Sequence, residues 1–405
     1  MNKERVDELI TVYRDGLLLD TVPFWLKNGV DRENGGFFSG VDRKGNVIDT
    51  DKSVWVQGRF IWLLSTLYNT VEHRDEWLDT AALGAQFLRD YCFDSDGRMF
   101  FQVTKEGNPL RKRRYLFTEC FGVAALSAYG MASGEDRALQ QAIDLFKLII
   151  KYYTSPDLLP AKVVPDTRQS RSIGMPMMIL NIAQELRAAT GDPVADEWID
   201  RSIGEIKTFH LKDDPYTVLE TVGIDGSFQD HFEGRKITPG HIIEAAWFIL
   251  DEARKRGGAT RGATRGALAE FACRMIDWAW EFGWDGEHGG FIYFRDVNGL
   301  PGTEYWHDMK FWWQQNEAII ATLLAYYMTR DEKYAAWHKK IHEWTYARFP
   351  DPDFGEWYGY LHRDGRVSTT LKGNLWKGPY HIPRMQWYCW RLLEELRQNT
   401  GGEET

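Results

Sequence analysis

Apolar residues recur at three- and four-residue steps along most of the chain. Between positions 3 and 27 they fall at Val6, Leu9, Ile10, Tyr13, Leu17, Val22 and Trp25, which line one face of a helix. The same spacing covers 54–72, 75–92, 116–132, 135–153, 174–190, 194–209, 240–256, 265–282, 308–329, 331–348 and 380–398, so the pattern predicts about twelve helices. No segment alternates strand with helix as a parallel sheet requires, which disfavours Rossmann and TIM architectures.

A second pattern sits between the helices. Residues 31–45 and 284–299 each carry Gly-Gly followed by a short aromatic stretch and a second Gly-bearing turn, and 353–365 is a third version. Weaker copies lie at 94–107 and 225–234. Each reads as a short hairpin inserted between helices. Recurrence marks a repeated unit, but the spacing is too uneven for a solenoid. Helix pairs joined by hairpins fit an all-α closed double ring of six inner and six outer helices, with a cleft at the open ends of the inner ones. One domain is expected over 1–398, with a flexible tail at 399–405. Residues 154–172, with three prolines, read as a long surface loop, and the GGATRGATRG run at 257–266 as an exposed insertion.

Of 405 residues, 43% are hydrophobic and 27% charged, enough for a large core and a solvated surface. The net charge of -10 gives no support for nucleic acid or an anionic membrane as partner. No apolar run approaches the roughly 20 residues that span a bilayer, and the first residues are not of signal-peptide type, so a cytoplasmic location is expected. The four cysteines form no CxxC pair, which argues against a disulfide framework or structural zinc. Aromatic residues reach 14%; Trp and Tyr fill cores but also stack on sugar faces.

Phosphate-binding loops, HExxH, EF-hand and GxSxG motifs are absent from the sequence. The histidines carry more information. His241 follows Pro239-Gly240 in the first turn of a strongly periodic helix, with Glu244 one turn on. The helix dipole there disfavours an imidazolium and suits a neutral base, although a capping histidine bonded to Glu244 would look the same. His381 is fenced by Pro379 and Pro383 at the entry to the last helix, a rigid turn that is either a packed junction or a ligand site. Arg59 has Trp55, Val56 and Trp62 as helical neighbours, as a stacked structural residue or a charged clamp would. On the stretch 307–317, Lys310, Trp313, Gln314 and Glu317 share one helical face that is too polar for ordinary core and reads as cleft lining.

These stretches resemble the N-acylglucosamine 2-epimerase family over nearly the whole chain. The resemblance rests on 18–25, 31–36, VWVQGR at 54–59, FTECF at 117–121, 232–247 with PGHIIEAAW, KFWW at 310–313, 355–361 and KGPYHIPR at 377–384. It implies an (α/α)6 barrel, C2 epimerisation or aldose–ketose isomerisation of sugars, no required cofactor or metal, and a homodimer. ATP is raised as an allosteric activator. The family's acid/base histidines match His241 and His381; its WxQxR arginine matches Arg59, and its helix-face glutamate matches Glu244. Trp313, Gln314, Glu317, Lys310, Trp376, Met178 and Glu119 complete the expected substrate-binding set.

The resemblance points to a monosaccharide substrate. Cellobiose 2-epimerases carry an extra cleft histidine on the helix where this chain has Met175-Pro-Met-Met-Ile179. Interconversion of N-acetylglucosamine and N-acetylmannosamine is the leading expectation, with one histidine removing the C2 proton of the ring-opened sugar, another returning it on the opposite face, and Arg59 stabilising the enediolate. The alternative is a free-hexose enzyme, a mannose 2-epimerase or a mannose/fructose isomerase. It is suggested by Pro379-Tyr380, where glucosamine enzymes usually read Cys-Phe, and by Gln314-Gln315. Two rivals stand outside this scheme. A sugar-binding protein would show an aromatic cleft without paired histidines, and an inverting glycosidase would need two separated carboxylates drawn from Glu119, Glu244 and Glu317.

Overall fold

The structure is a computed structural model that describes residues 1–401, except 165, 214–215 and 258–265. Residues 399–401 are described by their backbone only. The tandem repeat and positions 402–405 therefore fall outside the described residues, apart from the repeat's first and last glycines.

Twelve helices among the described residues build the barrel. They are α1 (Lys3–Asp15), α2 (Val54–Thr70), α3 (Asp75–Tyr91), α4 (Phe117–Ser133), α5 (Asp136–Thr154), α6 (Gly174–Thr190), α7 (Pro193–Glu205), α8 (Pro239–Gly257), α9 (Ala267–Gly283), α10 (Trp312–Thr329), α11 (Glu332–Tyr346) and α12 (His381–Gly401). The even-numbered helices form the inner ring, each packed on one outer helix: α2 on α3, α4 on α5, α6 on α7, α8 on α9, α10 on α11 and α12 on α1. Inner helices are apolar nearly all round, as burial on both sides demands: α10 is buried without a break from Trp312 to Tyr326. Outer helices keep a single apolar stripe; α5 buries Ala138, Ala142, Leu145, Phe146 and Ile149. The ring closes between the first and last inner helices, where Trp387 Nε1 donates to Thr70 Oγ1 at 2.9 Å.

The apolar spacing over 3–27 is real, but the segment is not one regular helix. Asn2 caps α1 by accepting from the Arg5 amide at 3.0 Å. The chain then passes through a π-helical turn, Gly16–Thr21, before a last helical piece, Val22–Asn28. Pro23 lacks the amide that a regular ladder would need there.

The inter-helix insertions repeat as the sequence predicts at four places. Single antiparallel bridges open them at Val30↔Phe37, Phe93↔Met99, Trp284↔Phe291 and Pro350↔Trp357. Short strands extend two of them into three-stranded sheets. One joins Lys52–Ser53, Gln102–Val103 and Pro109–Arg111; the other joins Lys310–Phe311, Tyr360–Leu361 and Val367–Thr369, all antiparallel. The fifth copy, 225–234, is not such a hairpin. Its turn at Gly226 ends strand Thr221–Gly223, which pairs with Ser170–Ser172, and the chain then enters a one-turn helix, Phe232–Arg235.

Three hairpins share an internal lock. A buried lysine reaches back to the first aspartate and to a glycine carbonyl: Lys52 to Asp31 (2.8 Å) and Gly35 (2.7 Å), Lys310 to Asp285 (2.8 Å) and Gly289 (2.7 Å), Lys372 to Asp351 (3.0 Å) and Gly355 (2.7 Å). The turn needs left-handed backbone. Gly289 and Gly290 have φ of 72° and 73°, and a Cβ on Gly290 would meet the Trp344 ring at 2.6 Å. An inner-helix glutamine then pins two hairpins to the barrel. Gln57 holds both backbone groups of Phe37, and Gln315 both of Phe291.

Candidate active site

All six inner helices begin at the same end of the barrel, and their first two turns line one cavity of about 510 Å³. Helix α2 supplies Trp55 and Arg59, α4 Phe117 and Phe121, and α6 Met177, Met178 and Asn181. Helix α8 adds His241 and Glu244, α10 Trp312 and Trp313, and α12 His381 and Arg384. Hairpins and connecting loops close the wall with Tyr293, Trp306, Phe311, Tyr360, Trp376 and Tyr380. A volume of this order suits a small ligand. The converging amide ends of six helices favour negative charge there.

The two histidines expected to work together line this cavity, and both rings pack on Trp313, with centroids 5.3 Å (His241) and 5.9 Å (His381) from it. Each is held through Nδ1 by a different carboxylate. His241 Nδ1 lies 2.8 Å from Glu220 Oε2, and His381 Nδ1 lies 2.8 Å from Glu317 Oε1. A carboxylate on Nδ1 fixes the tautomer with hydrogen there and leaves Nε2 as the working nitrogen. Burial pulls the His241 imidazole down, but the charge and hydrogen bond of Glu220 outweigh it, so its pKa is raised. Burial, followed by the charges of Arg384 and Arg59, holds His381 well below the usual histidine range. Environments that drive two pKa values apart are the pattern expected of an acid–base pair.

Arg59 is buried among aromatic faces, its guanidinium 4.2 Å from the Phe121 ring, 5.0 Å from Tyr380 and 5.2 Å from Trp55. Nη1 donates to the Trp376 carbonyl at 2.9 Å, and Nε is buried without a protein partner. Burial lowers its pKa to about 10, which leaves it charged at neutral pH. No carboxylate among the described residues forms an ion pair with it, so its charge is directed at the cavity's contents.

Arg384 does the opposite. Its Nη2 donates at 2.6 Å to both Glu244 and Glu317, and Nη1 to the Tyr380 hydroxyl at 3.0 Å. Oxygens of Glu244 and Glu317 and a nitrogen of His381 lie within 4.8 Å of one another, close enough to ligate a cation. That donor set already surrounds the Arg384 guanidinium, so it does not fit a metal ion without displacing it. The same closeness counts against an inverting glycosidase, whose carboxylates stand about 6.5–9.5 Å apart to admit a water.

Several expectations need correction. Glu244 does not bond His241; its partner is Arg384, and Glu220 takes the place assigned to it. The helix dipole does not set the His241 pKa: burial lowers it, and the charge and hydrogen bond of Glu220 more than offset that and raise it. Lys310 is not in the cleft: the helix begins only at Trp312, and Lys310 sits in a strand with its amine in the Asp285 lock. Gln314 is fully buried and donates to the Phe291 carbonyl at 2.6 Å, as Gln315 does at 2.9 Å, so neither amide reads a sugar. Glu317 is buried behind His381, with Oε2 accepting from Trp247 at 2.7 Å. Glu119 is buried against Arg98 at 2.6 Å, outside the cavity. Trp313, Trp376 and Met178 line the cavity. Sequence reasoning missed Glu220, Asn181 and Arg384 as site residues; Arg384 alone had a signal, the HIPR motif.

Comparison with known proteins agrees with this architecture. Residues 36–384 match the family described as N-acylglucosamine 2-epimerase (GlcNAc 2-epimerase). The N-acylglucosamine 2-epimerase of Bos taurus is 34% identical across 98% of this chain and 94% of its own. Among solved structures, cellobiose 2-epimerase from Spirochaeta thermophila shares the fold at a TM-score of 0.83, 20% identity and coverage of 97% and 98% of the two chains. A D-mannose isomerase shares it at 0.79, 21% identity and the same coverage. No helix among the described residues is long and apolar enough to cross a membrane. With its (α/α)6 barrel and its match over most of its length, the chain belongs to the N-acylglucosamine 2-epimerase family and is a carbohydrate isomerase or epimerase.

Proposed function

We propose that the protein is a 2-epimerase interconverting N-acetylglucosamine and N-acetylmannosamine. The observation that carries this reading is the pair of cavity histidines on separate helices, each with Nδ1 tied to its own carboxylate. Once the sugar ring opens, the C1 carbonyl acidifies the C2 proton. One imidazole takes that proton, and the electron pair moves toward O1 as an enediolate. Arg59 and the helix amide ends supply positive charge at the developing oxyanion. The other imidazole protonates C2 on the opposite face, and the carbonyl re-forms. No electrons enter or leave, so no redox partner is needed.

Two features support an N-acyl substrate. Phe117, Phe121, Met177 and Met178 form an apolar wall with a single amide, Asn181, and an acetamido group offers a methyl and an amide together. The Gln314-Gln315 argument for a free hexose is gone, since both side chains are fully buried, donate to the Phe291 carbonyl and do not line the cavity. Pro379-Tyr380 still favours the free-hexose reading, because Tyr380 lines the cavity beside His381, their rings 5.1 Å apart. An NMR screen of N-acetylmannosamine, N-acetylglucosamine, mannose, glucose, fructose and cellobiose, with and without ATP, separates these readings. Turnover of the two N-acetyl sugars is expected. Turnover of mannose alone would move the assignment to the free hexoses, and the ATP arm tests allosteric activation.

A further inference from the structure

Glu220 lies on none of the inner helices. It sits in the turn between strands Tyr216–Val218 and Thr221–Gly223, and its side chain is 13% exposed. Its backbone carbonyl accepts from the Ile173 amide at 3.0 Å, and Ser172 Oγ approaches Oε1 at 3.4 Å. The segment leading into α6 therefore holds the carboxylate against His241. Among the described residues His241 is its one ion-pair partner within 4.0 Å. Glu317, behind His381, is placed differently: Arg384 and Trp247 already occupy its oxygens. One histidine faces an undivided negative charge, and the other faces a charge already matched by a guanidinium.

We propose that Glu220 is a positioning residue that sets the direction of proton transfer: by holding His241 as the imidazolium, it makes His381 the base and His241 the acid of the resting enzyme. This rests on the two-histidine reading above. The other charged groups around His241 do not reverse it. Glu244, one turn along α8, is tied to Arg384. Lys236, from the strand before α8, is paired with Glu233 and Glu304. Burial and the charges of Arg384 and Arg59 hold His381 well below the usual histidine range, and Trp313 offers a ring face. The α8 amide end opposes the imidazolium, but a direct ion pair at 2.8 Å is the stronger influence. In agreement, burial pushes the Glu220 carboxyl up, yet the His241 charge and hydrogen bond hold it at about 2.

The test is a titration of His241 by NMR in protein labelled with 15N-histidine, assigned with His241→Gln, beside the pH profile of kcat/KM. In the unaltered protein His241 should titrate above the ordinary histidine value of about 6.5. Glu220→Gln keeps an acceptor for Nδ1 but removes the charge. It should lower that midpoint, and with it the alkaline limb of kcat/KM, by about one pH unit or more. Glu220→Asp should restore part of the shift, which a purely structural role would not predict. A Gln variant with midpoint and alkaline limb unmoved would overturn the assignment. So would an unaltered protein whose His241 titrates at or below the ordinary value, a result available even if the variants do not fold. C2 exchange persisting with an unshifted titration removes Glu220 alone. Absence of C2 exchange with every sugar removes the two-histidine reading and this division of labour with it.

Discussion

Arg59 shows how a single residue's surroundings decide its role. A guanidinium stacked on three rings and bonded once to a backbone carbonyl is held firmly, yet no carboxylate among the described residues forms an ion pair with it. Its charge is therefore available to an anion that exists only during reaction. Arg59→Met should lower kcat by about 10²–10³-fold with a smaller change in KM, and Arg59→Lys should recover part of the loss. Steady-state kinetics check this; a Met variant whose KM rises with kcat unchanged would place Arg59 in ground-state binding instead. At this scale His241, His381 and Arg59 were legible in the sequence because each sits in a local pattern: Pro-Gly before a helix, two fencing prolines, aromatic neighbours at helical spacing. Glu220 was not. It lies 21 residues before His241 in an irregular segment, and only the pairing of Ser170–Ser172 with Thr221–Gly223 brings it to the imidazole.

At the scale of elements, helical periodicity placed the barrel helices to within a few residues, and the repeated Gly-Gly-aromatic pattern located four of the five suggested hairpins. The errors have a common cause. Lys310 and Gln314 looked like cleft lining because the helix was extended back through the polar stretch at 307–311, where the chain is turn and then the two-residue strand Lys310–Phe311. Polarity there serves the hairpin: Lys310 satisfies Asp285 and Gly289, and Gln314 with Gln315 satisfies Phe291. A buried polar group that completes a backbone lock looks, in sequence, like one that faces a ligand. Burial pulls the Lys310 amine down to about 8, partly offset by Asp285. Lys310→Met should therefore destabilise the fold, by about 3 kcal/mol for a broken buried pair, while leaving KM within about two-fold. Chemical denaturation and kinetics on the same variant check both halves. A large rise in KM without loss of stability would return Lys310 to the substrate site.

For the whole molecule, closure of the ring is what makes a site. Six helices that begin at one end bring residues as distant in sequence as Arg59 and His381 to one cavity, and their amide ends add to the Arg59 charge. Neither motif contains the other's position; the double ring supplies it. The central claim is that a C2 proton leaves on one imidazole and returns from another. Its most direct test is the turnover of N-acetylmannosamine in heavy water, with C2 followed by proton NMR, in the unaltered protein, His241→Ala and His381→Ala. The account predicts product N-acetylglucosamine carrying deuterium at C2, and loss of at least about 10²-fold in turnover in each variant. Product that retains protium at C2 over many turnovers, or a histidine variant that epimerises at the normal rate, would contradict it.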